Sequence, residues 1–406
     1  MHLSSKILIG LVMGIIAGLV AGPENIGFIK KWIAPMGTLF INLIKMIIVP
    51  LVFASLVVGA ASLGDIKKLG RIGIKTMVFY LGTTAIAVII GIAMSLVLNP
   101  GVGLSLPANA VYKGKEAPSV MDVLVNMVPS NPVKAMETGD MLQIIVFALF
   151  VGIGITLVGQ RAKIVETFFD GFAEVTYKIV NIIMEVAPYG VFALIMPVVA
   201  ANGPKVLIPL ASVIAAVYIG CILHMGLVYT SAISILGRMS PMKFFKGLFP
   251  AQLIAFSTCS SAATLPVNMK CTQENLGVSK EVSSFVLPLG ATINMDGTAI
   301  YQGVCALFVA QIYGIDLTMS QMLVIVLTGT LASIGTAGVP GAGLIMLTLT
   351  LQSVNLPIEG IALIAGIDRV LDMIRTTVNI TGDAVASVYI QRSEDEYQHK
   401  QSSISA

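Results

Sequence analysis

Residues 368–383 read Asp-Arg-Val-Leu-Asp-Met-Ile-Arg-Thr-Thr-Val-Asn-Ile-Thr-Gly-Asp, inside an apolar run from Ile361 to Ile390 that is long enough for one membrane-spanning helix. At 100° per residue, one side of that helix carries Asp368, Asp372, Arg375, Asn379 and Asp383. The run's five charged residues, Arg369 included, would cost about 12–18 kcal/mol near the bilayer centre, and its twelve Leu, Ile and Val return only about 4–7 kcal/mol. The stripe therefore faces protein, water or bound ions. It predicts a binding site, with a structural ion-pair network as the alternative.

The composition is that of a polytopic membrane protein. Of 406 residues, 56% are hydrophobic and 11% are charged, against about 25% charged residues in soluble domains. The net charge of +3 gives no indication of a nucleic-acid partner. The four cysteines lack CxxC spacing and are interpreted as free thiols, and His224, alone in an apolar run, as a core imidazole rather than a metal ligand.

Six apolar runs in the first part of the chain predict six membrane helices, at about 7–21, 36–63, 74–98, 141–158, 165–196 and 206–236. The loop after the second run carries Lys67, Lys68, Arg71 and Lys75, so the positive-inside rule places it in the cytoplasm. The N-terminus then lies on the same side. We expect a multi-pass protein of the plasma (inner) membrane with both termini cytoplasmic.

Two later apolar segments are interrupted at their centres. Residues 247–269 are uncharged, but their centre is Ser257-Thr-Cys-Ser-Ser261, with a proline on each side. Residues 317–358 are too long for one helix and contain Gly335-Thr-Ala-Gly-Val-Pro-Gly-Ala-Gly343. Each pattern predicts a re-entrant hairpin of two half-helices, entering from opposite sides. Together with the helix that follows each hairpin, they predict the inverted repeat of a transporter with a site at the midplane.

The helix at about 282–311 is expected to unwind at Asn294-Met-Asp-Gly-Thr298, because these residue types are poor helix formers. Freed carbonyls, amide oxygens and carboxylates suit a small alkali cation better than zinc or copper. A kink without a bound ion is the alternative interpretation.

These motifs together resemble the glutamate/aspartate:cation symporter family, which includes archaeal aspartate transporters and animal excitatory amino-acid transporters. The resemblance covers most of the chain and is densest from Pro250 to Asp383. It implies an all-α protein with eight transmembrane helices and two re-entrant hairpins. It also implies that two or three sodium ions are transported together with an acidic amino acid.

The resemblance assigns roles to individual residues. Arg375 would pair with the substrate's side-chain carboxylate and Asp372 with its α-ammonium group, while the hairpin tips would hold its α-carboxylate. The implied substrate-binding set is Ser260, Ser261, Thr298, Gly338, Val339, Gly343, Asp372, Arg375, Thr376 and Asn379. The first sodium site would use Gly290, Asn294, Asn379 and Asp383. The second would use Tyr80, Thr83, Thr84, Asn294 and Asp296, and the third Thr292, Ser333, Ile334 and Thr336.

The resemblance also implies a division of the chain and a homotrimer in the lipid bilayer. Residues 1–240 would be mainly scaffold and trimerisation helices, with those at 74–98 and 206–236 assignable to either part. Residues 241–391 would form the transport region, comprising hairpin 1 (243–276), the broken helix (280–312), hairpin 2 (318–356) and the last helix (358–391). The polar tail, 392–406, is expected to be disordered.

Other functions fit the residues less well. Gln302 stands where animal relatives have a Glu linked to proton coupling, whereas Asn294, Asp296 and Asp383 together favour sodium. A proton-coupled glutamate/aspartate or C4-dicarboxylate symporter of the same fold is the alternative. An ion channel would need rings of identical groups from several subunits. An intramembrane aspartyl protease would need a Gly-x-Gly-Asp motif, but Asp383 follows Ile-Thr-Gly. The chain is therefore expected to be a transporter and not an enzyme.

Overall fold

The computed structural model describes residues 3–61, 69–104, 125, 128–333, 338 and 341–405. The regular secondary structure within these ranges is helical throughout. The α-helices are α1 (Leu3–Ala21), α2 (Ile26–Trp32), α3 (Ala34–Ala61), α4 (Leu69–Leu98), α5 (Pro132–Thr138), α6 (Met141–Val158), α7 (Lys163–Asn202), α8 (Leu207–Leu223), α9 (Thr230–Ile235), α10 (Pro241–Thr258), α11 (Ser261–Glu274), α12 (Lys280–Ile293), α13 (Asp296–Ile312), α14 (Met319–Ser333), α15 (Ala342–Ser353) and α16 (Ile361–Ser405). Lys67 and Lys68 of the predicted cytoplasmic loop lie outside the described residues.

Several helices are long and apolar enough to cross a membrane. Three segments within the described ranges meet that criterion alone, namely 72–98, 146–176 and 207–235. A fourth candidate is the pair 9–21 and 23–32, whose two parts are bent by 96°. These lengths and compositions agree with the membrane protein that the sequence predicts.

Most helix contacts fall into two groups, which meet where α16 packs on α1 and α7. In the first, α1 and α3 both lie along α7, and α3 also packs on α6. Glycines permit the closest of these contacts: a Cβ added at Gly18 would lie 2.8 Å from the Met196 carbonyl oxygen. In the second group, α4 packs on α13 and α14, and α8 packs on α4 and α16. The two helices that the sequence left unassigned, α4 and α8, therefore contact the C-terminal half of the chain.

The chain reverses direction between α10 and α11, which pack against each other. Cys259 ends α10 in the left-handed conformation (φ 55°). Ser260 then caps α11, because its Oγ accepts a hydrogen bond from the amide of Ala263 at 3.1 Å. We call α10 and α11 the first helix pair and residues 258–262 the first tip.

A second pair of helices, α14 and α15, also packs together. Only Gly338 and Gly341 are described between Ser333 and Ala342, and Gly341 (φ 85°) precedes α15 in a conformation that favours glycine. We call these the second helix pair, and the described residues Gly338 and Gly341 the second tip. Asn294 and Met295 separate α12 from α13, as the residue types predicted.

The expectation of a disordered tail is wrong for the described residues, because α16 continues to Ser405. Polar side chains stabilise this extension along its length and against α4. Gln391 donates to Asp395 at 2.8 Å and Arg392 lies 3.1 Å from Glu396, one turn apart in both cases. Lys75 of α4 also donates to Ser393 at 2.5 Å. Low hydrophobicity alone did not reveal these contacts.

Candidate functional site: a charged pocket between two helix tips

The two tips meet next to α16. The carbonyl oxygen of Gly338 in the second tip accepts two hydrogen bonds from the first tip, from Ser260 Oγ at 2.7 Å and from the Ala262 amide at 3.2 Å. On the other side, the Gly341 amide donates to Asp372 Oδ2 of α16 at 3.4 Å. Residues 31 to 78 positions apart in the sequence are thus joined around one point.

A small pocket, partly open to solvent, lies between these segments. It is lined by Cys259, Ser261, Met295, Thr298, Gly338, Ala342, Gly343, Asp372, Thr376 and Asn379. Seven of these residues were in the predicted substrate set. Three residues of the predicted substrate set do not line the pocket. Ser260 holds the first tip, Arg375 lies behind the pocket wall, and Val339 is outside the described residues.

Arg375 is fully buried and paired. Its Nη1 donates to Asp368 Oδ1 at 2.9 Å, and its Nη2 lies 2.9 Å from Asp372 Oδ1. The guanidinium also stacks on Tyr301, with its carbon 4.0 Å from the ring centre. A Cβ added at Gly343 would lie 2.7 Å from Nη1, so the glycine brings α15 close to the charge. Asp372 therefore contacts both the guanidinium and the pocket.

The two alternatives for the charged stripe are both present. The pairs from Arg375 to Asp368 and Asp372 are a buried ion-pair network, and a pocket adjoins that network. Within the described part of the chain, Arg375 Nε has no hydrogen-bond acceptor. A buried donor without an acceptor is costly, and it leaves the cation able to bind a further anionic oxygen.

Carboxylate, amide and carbonyl oxygens meet where α12 ends. Asn294 Nδ2 donates to Asp383 Oδ1 at 2.9 Å and to the Asn379 carbonyl at 3.2 Å, and both side chains of Asn294 and Asp383 are buried. Asn294 Oδ1 has no hydrogen-bond partner among the described residues. Gly290 packs directly against Asp383, since an added Cβ would overlap that carboxylate. The structure thus brings the four residues of the first predicted sodium set together.

Asp296 is surrounded by hydrogen-bond donors. Thr84 Oγ1 donates to its Oδ1 at 2.6 Å, and Tyr229 Oη donates to its Oδ2 at 2.8 Å. His224 Nε2 lies 3.1 Å from the same Oδ2. His224 and Tyr229 were absent from the predicted site. Both lie in a π-helical turn, His224–Tyr229, whose occurrence at functional sites offers a signal only once the structure is known.

The other described residues of the second and third predicted sodium sets donate hydrogen bonds to backbone carbonyls and do not form an oxygen cluster of their own. Tyr80 donates to the Val286 carbonyl at 3.0 Å, and Thr83 donates back to Tyr80 in its own helix. Thr292 is exposed and donates to the Leu289 carbonyl, and Ser333 donates to the Thr330 carbonyl. Ile334 and Thr336 lie outside the described residues. The structure brings no third oxygen cluster together among the residues it describes.

An all-helical chain with apolar helices of membrane-crossing length and this buried, charged interior is an integral membrane protein. The profile of the Sodium:dicarboxylate symporter family matches residues 3–393, and the chain belongs to that family of transporters.

Curated relatives match along nearly the whole chain. The proton/sodium-glutamate symport protein of Geobacillus stearothermophilus is 38% identical over 98% of this chain and 96% of its own length. The proton/glutamate-aspartate symporter of Escherichia coli (strain K12) is 37% identical over 98% of this chain and 94% of its own. An excitatory amino acid transporter of Caenorhabditis elegans is 34% identical over 94% of this chain and 85% of its own length.

Proposed function

We propose that this protein is a sodium-coupled secondary-active symporter for acidic amino acids, taking L-aspartate, L-glutamate or both. The observation that carries the proposal is the position of Asp372, which lines the pocket and contacts the buried guanidinium of Arg375. A solute with one ammonium and two carboxylate groups complements this pair of opposite charges. The names of the relatives, which include glutamate and glutamate-aspartate symporters, support the same substrate class.

Binding would exchange partners within the ion-pair network. The substrate's α-ammonium would take over an oxygen of Asp372, and its side-chain carboxylate would meet the nitrogens of Arg375 that Asp372 releases. Thr298, Thr376 and Asn379 line the same pocket and would add hydrogen bonds. Amides of the two tips, near Ser260, Ser261 and Val339, would hold the α-carboxylate.

Sodium ions would be carried with the substrate as co-transported cargo. Asp296, Asp368, Asp372 and Asp383 against Arg375 leave a formal charge of −3, or −2 when the half-buried Arg369 is included, which cations and the substrate's ammonium would neutralise. Asn294, Asn379 and Asp383, with the Gly290 carbonyl, would hold one ion, and the unpartnered Asn294 Oδ1 fits such a ligand set. Asp296 with Thr84, and Tyr80 and Thr83 nearby, would hold a second. Thr292, Ser333, Ile334 and Thr336 would serve a third.

In the membrane, we assign eight crossing helices, with the first and second helix pairs as re-entrant hairpins and both termini in the cytoplasm. Residues 1–240 would supply mainly the scaffold of a homotrimer. The C-terminal half would move against it in an elevator-type exchange of access, with the second tip as the extracellular gate. The two packing groups of helices support this division.

A proton-coupled symporter of the same fold is the second candidate, favoured by the word proton in the names of the bacterial relatives. The two are separated by reconstituting the purified protein in proteoliposomes and imposing each gradient alone. We expect radiolabelled aspartate to accumulate when sodium is higher outside, and not when a proton gradient acts in sodium-free buffer. Accumulation driven by protons without sodium would refute sodium coupling.

The substrate class is tested in the same vesicles by competition. Succinate has both carboxylates of aspartate but no ammonium group for Asp372. We therefore expect excess glutamate or aspartate to block uptake and excess succinate to have little effect. Equal inhibition by succinate would contradict the assignment and favour a C4-dicarboxylate carrier.

A further inference from the structure

Arg369 is a charged residue of α16 that the charged stripe does not include. It follows Asp368 directly and is half-buried. Its Nη2 donates a hydrogen bond to the carbonyl oxygen of Thr258 at 3.2 Å. Thr258 is the last residue of α10, so the contact joins the last helix to the first tip, 111 positions away in the sequence.

The chemistry of this contact favours a holding role. The carbonyls in the last turn of a helix have no intrahelical donor, and together they carry a partial negative charge. A guanidinium at that end satisfies one carbonyl and interacts favourably with the helix dipole. The peptide bond that contains the Thr258 carbonyl leads directly to Cys259, which lines the pocket and is 2% exposed.

We propose that Arg369 is a positioning residue that holds the first tip against α16 and so keeps the pocket closed on that side. Two sets of hydrogen bonds hold the first tip. One set is made with Gly338 of the second tip, and the other is the bond from Arg369 of α16. When the second tip moves away, the bonds to Gly338 break, but the bond from Arg369 remains. The first tip then stays in place while the other side is open. This inference rests on the proposed transport function, since closing the pocket on one side at a time matters only for a carrier.

Cys259 supplies a direct reporter, because opening of the first tip would expose its thiol. The purified full-length protein is treated with a small neutral maleimide, and mass spectrometry gives the labelling rate of each cysteine. We expect Arg369→Ala to label Cys259 about tenfold faster than the unchanged protein, the scale of one hydrogen bond to a charged group. Arg369→Leu, which keeps side-chain bulk, should behave in the same way and carries the test if the alanine variant does not fold.

The remaining cysteines separate local opening from general loosening. Cys221, Cys271 and Cys305 are buried, and their labelling should stay slow in both variants. Arg392→Ala removes an arginine from the same helix outside the pocket and should leave Cys259 labelling unchanged. The proposal is overturned if Cys259 labels no faster in the Arg369 variants, or if all four cysteines accelerate together. Labelling needs no transport, so this outcome is independent of whether aspartate uptake is found.

Discussion

Replacing Arg375 with Ala removes a cation that two buried carboxylates share. Asp368 and Asp372 have 6% and 11% of their side chains exposed, and each lies 2.9 Å from the guanidinium. Removing one partner of a buried pair costs about 3–5 kcal/mol of stability, because charge is left uncompensated. An acidic substrate would also lose its carboxylate partner, at about 2–5 kcal/mol. That corresponds to a loss of aspartate affinity between about 30-fold and several thousand-fold.

The assay must separate these two losses. Aspartate KM is measured in proteoliposomes, and sodium binding is followed separately as the rise in thermal unfolding temperature that sodium produces in detergent. The double variant Arg375→Ala with Asp368→Asn also removes one of the two carboxylate charges that the single variant leaves without a cation. It should therefore be more stable than Arg375→Ala and regain stabilisation by sodium, without regaining aspartate uptake. If folded Arg375→Ala protein transports aspartate with unchanged KM, the role assigned to this guanidinium is wrong.

Three further changes test other parts of the structure. Asp383→Asn should raise the sodium concentration for half-maximal aspartate uptake by about tenfold or more, because the ligand set loses its charge; an unaltered sodium dependence would count against the site. Gly297→Ala places a Cβ 2.6 Å from the Arg375 Cα and should lower the free energy of unfolding by about 1–3 kcal/mol. The control Gly82→Ala places a Cβ with nothing within 4 Å and should leave the free energy of unfolding unchanged. Equal thermal unfolding temperatures for the two variants would contradict the packing. Lys75→Ala should speed amide hydrogen exchange in residues 391–398 and lower the free energy of unfolding by less than about 1 kcal/mol. Lys163→Ala is the control and should leave exchange in these residues unchanged. Unchanged exchange in Lys75→Ala would mean that the tail stays helical without this contact.

Much of the fold could be predicted because its signals are local. Apolar length located the long helices, and poor helix formers located the breaks at Cys259 and Asn294. The tail was mispredicted because composition does not report contacts made across the chain. Lys75 and Ser393 are 318 positions apart, and nothing near either residue in the sequence indicates the other.

The candidate site, too, could be predicted only where its signals are local in the sequence. The stripe on α16 could be derived from a helical period, and two of its residues, Asp372 and Asn379, line the pocket together with Thr376. His224 and Tyr229 could not be found in that way, because single polar residues in an apolar run usually belong to an ordinary core. Their importance depends on Asp296, 67 or more positions later, whose carboxylate both contact.

The carbonyl of Gly338 receives both donors of the first tip, and this sharing has a kinetic consequence. On the proposed transport function, moving either tip away from the other breaks the same two hydrogen bonds, so the barriers to opening the first tip and the second tip contain an identical contribution. Because the acceptor and the Ala262 donor are both main chain, side-chain replacement can remove only the hydrogen bond from Ser260. Removing the hydroxyl with Ser260→Ala would lower both barriers together and leave the directional bias of the cycle to the ion gradients.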